Sequence, residues 1–418
     1  MPEGEQEGDN GVAGDTTALE SRLARYPADR YPAQHAVVAF HLGTAHLQRA
    51  RISQALESLR VAYGIFGRLG MHLEQLKALT MLGVALRESG RSDLAREAFE
   101  RAVPAFGELD QPVEAAAASY DLGLVLNEQG HLVDAQQAMA YARQLFLEAG
   151  HLTRAGSAAR EQGASLLTSG QVESALPLLV EATDLAERSG DLPGLGAAAN
   201  ALGLAHLASD DTGAAVVAFS RAVAAFPRSM RPTEHAMVKA NLAIAHEQDG
   251  NPARARLAAR QALSVSSADP PVRRQAQRLL DRLKGAKQAD LITVLDAEPL
   301  CRWSAIVREE ALRWSDLGQD DRVEAVNGFI DGILGRPGTS VDLAESLIAA
   351  LLELPPSSYA ELVTAIVQAT GTRAQTDSER VRMVVGSGMA RFPIPQWQRL
   401  VSSLNAVAAA ADQPAGWR

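Results

Sequence analysis

Small and apolar residues recur along most of this chain at an interval that predicts pairs of α-helices. A leucine followed by glycine returns every 40 residues, with one of the two positions changed in the fourth and sixth copies. The copies are Leu42-Gly43, Leu82-Gly83, Leu122-Gly123, Gln162-Gly163, Leu202-Gly203 and Leu242-Ala243. Each is followed by further small and apolar residues spaced four and three apart. Because that spacing places side chains on one helix face, each copy predicts two consecutive amphipathic helices.

The second helix of each pair carries alanine, then a larger residue four positions later in five of the six copies, then alanine three positions after that. The members are Ala55, Leu59, Ala62; Ala95, Phe99, Ala102; Ala135, Met139, Ala142; Ala175, Leu179, Ala182; Ala215, Phe219, Ala222; and Ala255, Ala259, Ala262. Glycines keep the same phase between the helices, and glycine often ends a helix because it adopts left-handed backbone angles. Small residues at fixed positions indicate helix axes that approach closely.

This pattern, Leu-Gly on a helix A and Ala-x3-Phe-x2-Ala on a helix B, resembles the tetratricopeptide repeat. The resemblance covers about residues 16–285, and its 40-residue interval is similar to that of kinesin light chains, LGN-type spindle adaptors and bacterial Rap-type regulators. It implies an all-α fold in which helix pairs stack into a right-handed α-solenoid. We expect six full repeats with flanking helices over residues 16–288, preceded at 1–15 by an acidic, disordered leader.

Residues 289–418 lack the repeat markers but still predict helices, so we expect a separate C-terminal helical domain of no recognised family. Prolines and glycines separate its segments. The predicted helices are Pro299–Leu317, Asp321–Leu334, Val341–Leu354, Ser357–Thr370, Asp377–Arg391 and Pro395–Ala411. All four tryptophans of the chain lie here, and Trp303 and Trp314 share a face of one predicted helix. That placement favours core packing, with a contact between two copies of the chain as the alternative.

Composition excludes several classes of function. The formal net charge of −10 disfavours nucleic acid as the main partner, because phosphate binding needs a basic surface. One cysteine, no run of 18 apolar residues and no signal-peptide pattern predict a cytoplasmic protein that does not enter a membrane. The Arg-rich, Lys-poor and Ala-rich composition is typical of bacteria with GC-rich genomes, such as actinobacteria. No catalytic or metal-binding motif is present, which predicts a non-catalytic protein without cofactor or metal.

In tetratricopeptide arrays helix A lines the inner surface, so the resemblance implies a binding groove there. The register of the Leu-Gly pair selects polar and aromatic residues of that face. They are Phe40, Thr44, Gln48, Lys77, Thr80, Arg87, Tyr120, Asn127, Arg160 and Asn200. Three cations near two aromatic rings predict an extended, partly acidic peptide as the partner. The two asparagines can bond its backbone as donors and as acceptors.

The sequence therefore predicts an adaptor or scaffold that binds a protein or peptide in this groove. Two alternatives stay open. One is a peptide- or ligand-responsive regulator of a bacterial pathway, which the similarity to Rap-type arrays implies. The other is a biosynthetic accessory protein or enzyme with a site in the C-terminal helical domain.

Overall fold

The part of the chain that the computed structural model describes has an all-α fold. That part comprises residues 16–283, 289–414 and 416–417, and no β-strand occurs in it. The expected all-α class is confirmed, whereas the acidic leader at 1–15 lies outside the described residues. The chain divides into two compact units, the first ending at Ser209 and the second beginning at Asp210.

The helices follow the predicted A and B alternation from α2 to α13. Those of the first unit are α1 (Thr16–Arg25), α2 (Pro32–Gln48), α3 (Ile52–Arg68), α4 (His72–Glu88), α5 (Ser92–Glu108), α6 (Pro112–Glu128), α7 (Leu132–Glu148), α8 (Leu152–Thr168), α9 (Val172–Ser189) and α10 (Leu192–Ala208). Those of the second unit are α11 (Thr212–Ala225), α12 (Pro232–Gln248), α13 (Pro252–Leu263), α14 (Pro270–Arg282), α15 (Ala289–Asp296), α16 (Leu300–Ser315), α17 (Gln319–Gly335), α18 (Ser340–Leu352), α19 (Pro356–Gly371), α20 (Gln375–Met389) and α21 (Ile394–Ala410). Each even-numbered helix from α2 to α12 is a helix A of 17 residues.

Helices A and B of one repeat approach closely at the glycine of the Leu-Gly pair. A Cβ atom added to Gly83 would lie 2.8 Å from the ring of Phe99, which is fully buried. Gly123 faces Met139 in the same way in the next repeat. Because the interior is close-packed, a side chain at either glycine would have to displace the larger residue of helix B. The small and large positions of the sequence pattern therefore determine how the two helices of a hairpin pack.

The turns between helices repeat one backbone conformation. Gly90, after a helix A, has φ +75°, and Gly70, after a helix B, has φ +68°. This left-handed region favours glycine because a Cβ atom crowds the backbone there. Ala50 and Asp110 adopt it at the equivalent positions of other repeats. The helices therefore end where the glycine phase predicts, even in repeats that lack the glycine.

The helices that follow the repeats share one hydrophobic core with α13. Trp303, Trp314 and Phe329 are buried in it together with Leu257 of α13, and the rings of Trp314 and Phe329 meet edge to face at 5.9 Å. Core packing of the two tryptophans is thus confirmed. The six helices predicted after residue 298 are all present, with ends within two residues of the prediction.

Helix α15 was not predicted, and it connects the last repeat to these later helices. Asp290 on α15 is 1% exposed and accepts hydrogen bonds from Arg256 at 2.6 Å and Arg260 at 2.7 Å, both on α13. These contacts lie inside the second unit and cross the boundary expected at residues 288 and 289. A separate domain that begins at residue 289 stays a prediction.

Candidate protein-binding face of the first unit

Within the first unit the A helices form a continuous face on the inner side of the stack. Successive A helices, such as α4 and α6 or α8 and α10, contact one another, whereas successive B helices lie farther apart. Residues 40 apart in sequence occupy equivalent places on neighbouring A helices. One such row is Phe40, Thr80, Tyr120, Arg160 and Asn200. This face is the candidate binding surface.

Five of the predicted groove residues mainly shape the face. The Phe40 ring packs on two clusters of the core, and Asn200 is buried. The Thr44 and Thr80 hydroxyl groups each donate to the backbone carbonyl four residues earlier at 3.0 Å. Gln48 is exposed at the end of α2. Of the remaining five residues, Lys77 and Arg87 form ion pairs with carboxylates of α6.

The cations of the predicted groove are paired with carboxylates. Lys77 Nζ on α4 lies 3.3 Å from Glu114 Oε1 on α6. Arg160 Nη2 on α8 lies 2.6 Å from Oε1 of its neighbour Glu161. Each pair is partly exposed, so each contributes little to stability by itself. The pairing instead determines which charge the face presents.

Arg87 at the end of α4 is the most enclosed of these cations, with its side chain 17% exposed. Three carboxylates surround its guanidinium group: Glu88 at 3.0 Å, Glu128 at 3.8 Å and Asp121 at 4.0 Å. One positive charge thus faces three carboxylates. Burial disfavours the charged guanidinium group, but the hydrogen bond that Arg87 donates to Glu88 and the charges of Asp121 and Glu128 together raise the pKa of Arg87.

Tyr120 and Asp121 occupy the centre of this charged cluster on α6. Burial raises the pKa of the Tyr120 phenol to about 12, and the charge of Glu161 adds to the rise. Burial also raises the pKa of the Asp121 carboxyl to about 6, although the Arg87 guanidinium opposes the shift. At neutral pH the phenol is protonated and the carboxylate is ionised. The cluster then holds more carboxylates than guanidinium groups, namely Glu88, Asp121, Glu128 and Glu161 against Arg87 and Arg160.

Some buried polar atoms of these A helices have no hydrogen-bond partner among the described residues. They are Arg87 Nη1, Asn127 Oδ1 and Gln162 Oε1. An unpaired buried polar atom costs about 1–3 kcal/mol, and such atoms are uncommon in folded proteins. A polypeptide backbone carries both N–H donors and C=O acceptors. An extended chain could therefore supply the missing hydrogen bonds if the side chains turn these buried atoms towards it.

Sequence reasoning selected the cations of the cluster but missed some of the carboxylates that hold them. Asp121 and Glu161 are equivalent positions 40 residues apart, and each directly follows a predicted groove residue. That repeated acidic position was the available signal. Glu114 was also missed, because its pairing with Lys77 joins two helices and depends on the side-chain conformations in the fold.

Neither a metal-binding cluster nor a membrane-spanning helix occurs in the part of the chain that the structure describes. It contains no group of three or more His, Cys, Asp or Glu side chains placed to hold a metal ion. Among its helices, none is both long enough and apolar enough to cross a membrane.

Comparison with known families agrees with the repeat geometry. The tetratricopeptide repeat family matches residues 40–110, 80–149, 160–230 and 200–272, which together span more than half of the chain. The chain therefore belongs to the tetratricopeptide repeat family. At the general level this makes it a protein-binding adaptor or regulator whose partners are proteins or peptides. No curated protein matches the sequence.

The similar solved structures include further arrays of such repeats. The apo form of RapI has a TM-score of 0.55 and 14% identity, covering 80% of this chain and 90% of its own. A Podosopora anserina protein with TPR-like repeats of the kinesin light chain type has a TM-score of 0.39 and 16% identity, covering 51% and 98%. The Rap conjugation gene regulator of plasmid pLS20, in complex with the Phr* peptide, has a TM-score of 0.40 and 13% identity, covering 84% and 79%. At these identities the likeness concerns the fold.

Proposed function

We propose that the first unit binds an extended protein segment across its A helices and that the chain works as a non-catalytic adaptor. The observation that carries this proposal is the cluster around Tyr120. It combines an aromatic ring, ionised side chains and the unpaired atoms Arg87 Nη1 and Asn127 Oδ1 on one face. Such a face can recognise a polypeptide by charge, by stacking and by backbone hydrogen bonds.

The bound segment carries a basic side chain. The sequence predicted an acidic segment, but Lys77, Arg87 and Arg160 already contact carboxylates. An incoming carboxylate would have to displace those partners and would meet the remaining acidic charge. A guanidinium or ammonium group instead gains attraction to Asp121 and Glu128 and can stack on the Tyr120 ring. An acidic segment stays the competing prediction.

Affinity capture from the native host, followed by mass spectrometry, tests both charge assignments. The variants are Asp121→Lys with Glu161→Lys, and Arg87→Glu with Arg160→Glu. If the segment is basic, the first double variant loses the captured partner, because it places like charges opposite the segment. The second double variant keeps the partner or binds it more tightly. The reverse result would establish the acidic segment and contradict our proposal.

The matched control, Glu57→Lys with Glu97→Lys, reverses the charge of two exposed glutamates on B helices. It changes the net charge as much as the first double variant but leaves the A helices unchanged. We expect this control to capture the partner normally. Equal losses in the control and in the first double variant would show that net charge, and not this face, determines binding.

The proposal also covers where the protein is located and whether it acts as an adaptor or as a regulator. A cytoplasmic location in a bacterium is supported by the single cysteine and by the Arg-rich, Lys-poor composition. A regulator would bind its partner in the same way as an adaptor. The two roles would differ in the effect that the bound partner has on the protein. The experiment above therefore tests the step that both roles require.

A further inference from the structure

A second concave site lies wholly inside the second unit. Its residues and its chemistry differ from those of the cluster around Tyr120. It is a cavity of about 900 Å³ enclosed by α11, α12, α13 and α16, with contributions from α15 and from the turn before α12. That volume falls in the range of small-molecule sites in proteins. The proposed binding of a protein segment by the first unit does not involve it.

The walls of this cavity are largely apolar. Val216 and Val223 come from α11, Leu242 comes from α12, and Ile306 and Leu312 come from α16. Four of these side chains are only partly buried, although they lie among helices of the same unit. An apolar group placed between them would remove further apolar surface from water, which favours binding.

Cationic side chains line the cavity in excess over carboxylates. The lining contains five cations but only two carboxylates, Glu298 and Glu309. The Lys239 ammonium group donates a hydrogen bond to Glu309. Arg228 and Arg308 also pair with carboxylates, Asp316 and Glu353, which do not line the cavity. The remaining cations are Arg254 and Arg302.

Arg254 and Arg302 share a single carboxylate at one side of the cavity. Arg254 Nη2 lies 2.6 Å from Glu298 Oε1, and Arg302 Nη1 lies 3.5 Å from Glu298 Oε2. Two guanidinium groups offer more donors than one carboxylate can accept, so a second anionic group can be held beside Glu298. His235 and His246 also line the cavity, and burial lowers the pKa of both, so that neither adds positive charge at neutral pH.

From this juxtaposition we propose that the second unit binds a small amphipathic anion. Its carboxylate or phosphate head lies between Arg254 and Arg302, and its apolar body lies against Val223, Leu242 and Ile306. The head accepts hydrogen bonds from guanidinium donors that Glu298 does not use. The apolar walls favour a body of several carbon atoms over an inorganic ion.

Decanoate below its micelle concentration, decyl phosphate and decanol are suitable probes, with binding followed by calorimetry on the full chain. We expect decanoate or decyl phosphate to bind at least about tenfold more tightly than decanol, because a charged head forms charge-assisted hydrogen bonds. A preference between the two anions would identify the head group, and inorganic phosphate should bind far more weakly than either. Equal affinity for decanol and decanoate would overturn the proposal without any variant.

Variants test the position of the site. Arg254→Met with Arg302→Met should weaken decanoate binding by about tenfold or more and leave decanol binding unchanged. Val223→Trp should weaken both, because the indole fills the apolar part of the cavity. The matched control, Arg231→Met with Arg282→Met, removes the same charge from residues that do not line the cavity. Wild-type affinity in the first variant, or an equal loss in the control, would overturn the assignment.

Discussion

At the scale of single residues, burial changes the pKa of ionisable groups on the A helices. Asp121 and His246 are both A-helix side chains, and burial is the largest cause of the shift in each. Burial disfavours the charged form, so it raises the pKa of a carboxyl group and lowers that of an imidazole. The two residues are therefore predicted to change the free energy of unfolding in opposite directions as pH rises.

The Asp121 carboxyl should titrate with a midpoint near pH 6, which side-chain NMR can measure. Arg87→Met should raise that midpoint further, because the guanidinium charge favours the ionised carboxylate. Arg143→Met, which removes the partner of Glu181 on α9, is the control and should leave the midpoint unchanged. A midpoint near 4 in the wild type would show that Asp121 is solvated.

The same shift gives a pH dependence of stability and binding. Because the folded pKa lies above the ordinary value, the folded state binds more protons between about pH 4 and pH 6. The contribution of Asp121 to the free energy of unfolding therefore falls as pH rises through that window. Binding of a basic segment should weaken below about pH 6, where the carboxylate is lost.

His246→Leu should make the acid side of the stability profile flatter. Burial lowers the pKa of His246 to about 4, so the unfolded chain binds a proton between about pH 6.5 and pH 4 that the folded chain does not. Stability is present above pH 6.5 and is lost as pH falls, by about 2–3 kcal/mol for this group. Leu126 and Leu166 occupy the equivalent place in other repeats, so leucine should fit.

Chemical denaturation of the wild type and His246→Leu at pH 7 and pH 4.5 measures this effect. The control is His131→Leu, at an exposed position, which should keep the wild-type pH dependence. An unchanged slope in His246→Leu would show that another group causes the acid sensitivity.

The residue scale also shows how far a sequence can predict the candidate site. The 40-residue register placed Arg87, Tyr120 and Arg160 on A helices, because a helical repeat brings residues of equal phase to one face. The same register could not predict that Arg87 faces three carboxylates. Those contacts depend on side-chain conformation across two helices. The sign of the local charge therefore had to come from the structure.

At the scale of helices, the repeat pattern predicted the hairpins of helices A and B well, because its residues make the packing contacts between the two helices. Their glycines face the large residues of helix B, as Gly43 does with Leu59. Helix α15 was missed for a physical reason. It has only eight residues, too few to establish a helical period, and it carries β-branched Ile292, Thr293 and Val294.

Gly83→Ala tests the contact on which the hairpin depends. The added Cβ would lie 2.8 Å from the buried Phe99 ring, so we expect a loss of about 1–3 kcal/mol from overpacking. Gly64→Ala in α3 is the matched control, since its Cβ would meet only the flexible Arg68 side chain at 3.7 Å. That substitution should stabilise the helix by about 0.5–1 kcal/mol. Equal effects in the two variants, measured by chemical denaturation, would mean that the close approach does not limit packing.

At the scale of the whole molecule, the division into two units does not follow the repeat pattern. The markers continue to Ala262, yet the second unit begins at Asp210. Asp210 adopts a left-handed backbone, with φ +60°, at a turn where four other repeats have glycine. Nothing in the periodicity indicates that the last repeat shares a unit with the helices that follow it. That grouping depends on side chains far apart in sequence, which periodicity cannot reveal.

Asp290→Ala tests the contact that joins the last repeat to the later helices of the second unit. Asp290 is 1% exposed and pairs with Arg256 and Arg260. Removing one partner of a buried ion pair leaves charge uncompensated, so we expect the second unit to lose about 3–5 kcal/mol. Asp296→Ala on the same helix is the control. Its ion pair with Arg336 is partly exposed, so its removal should cost less than about 1 kcal/mol.

Hydrogen exchange read helix by helix separates this effect from a general loss of stability. If α13 and the later helices unfold as one unit, Asp290→Ala should lower protection in α13, α16 and α18 together, since they share one core. Protection in the first unit should stay unchanged, because its helices have cores of their own. Loss of protection confined to α15 would contradict the shared unit. It would instead favour a repeat array that ends at residue 288, as the sequence predicted.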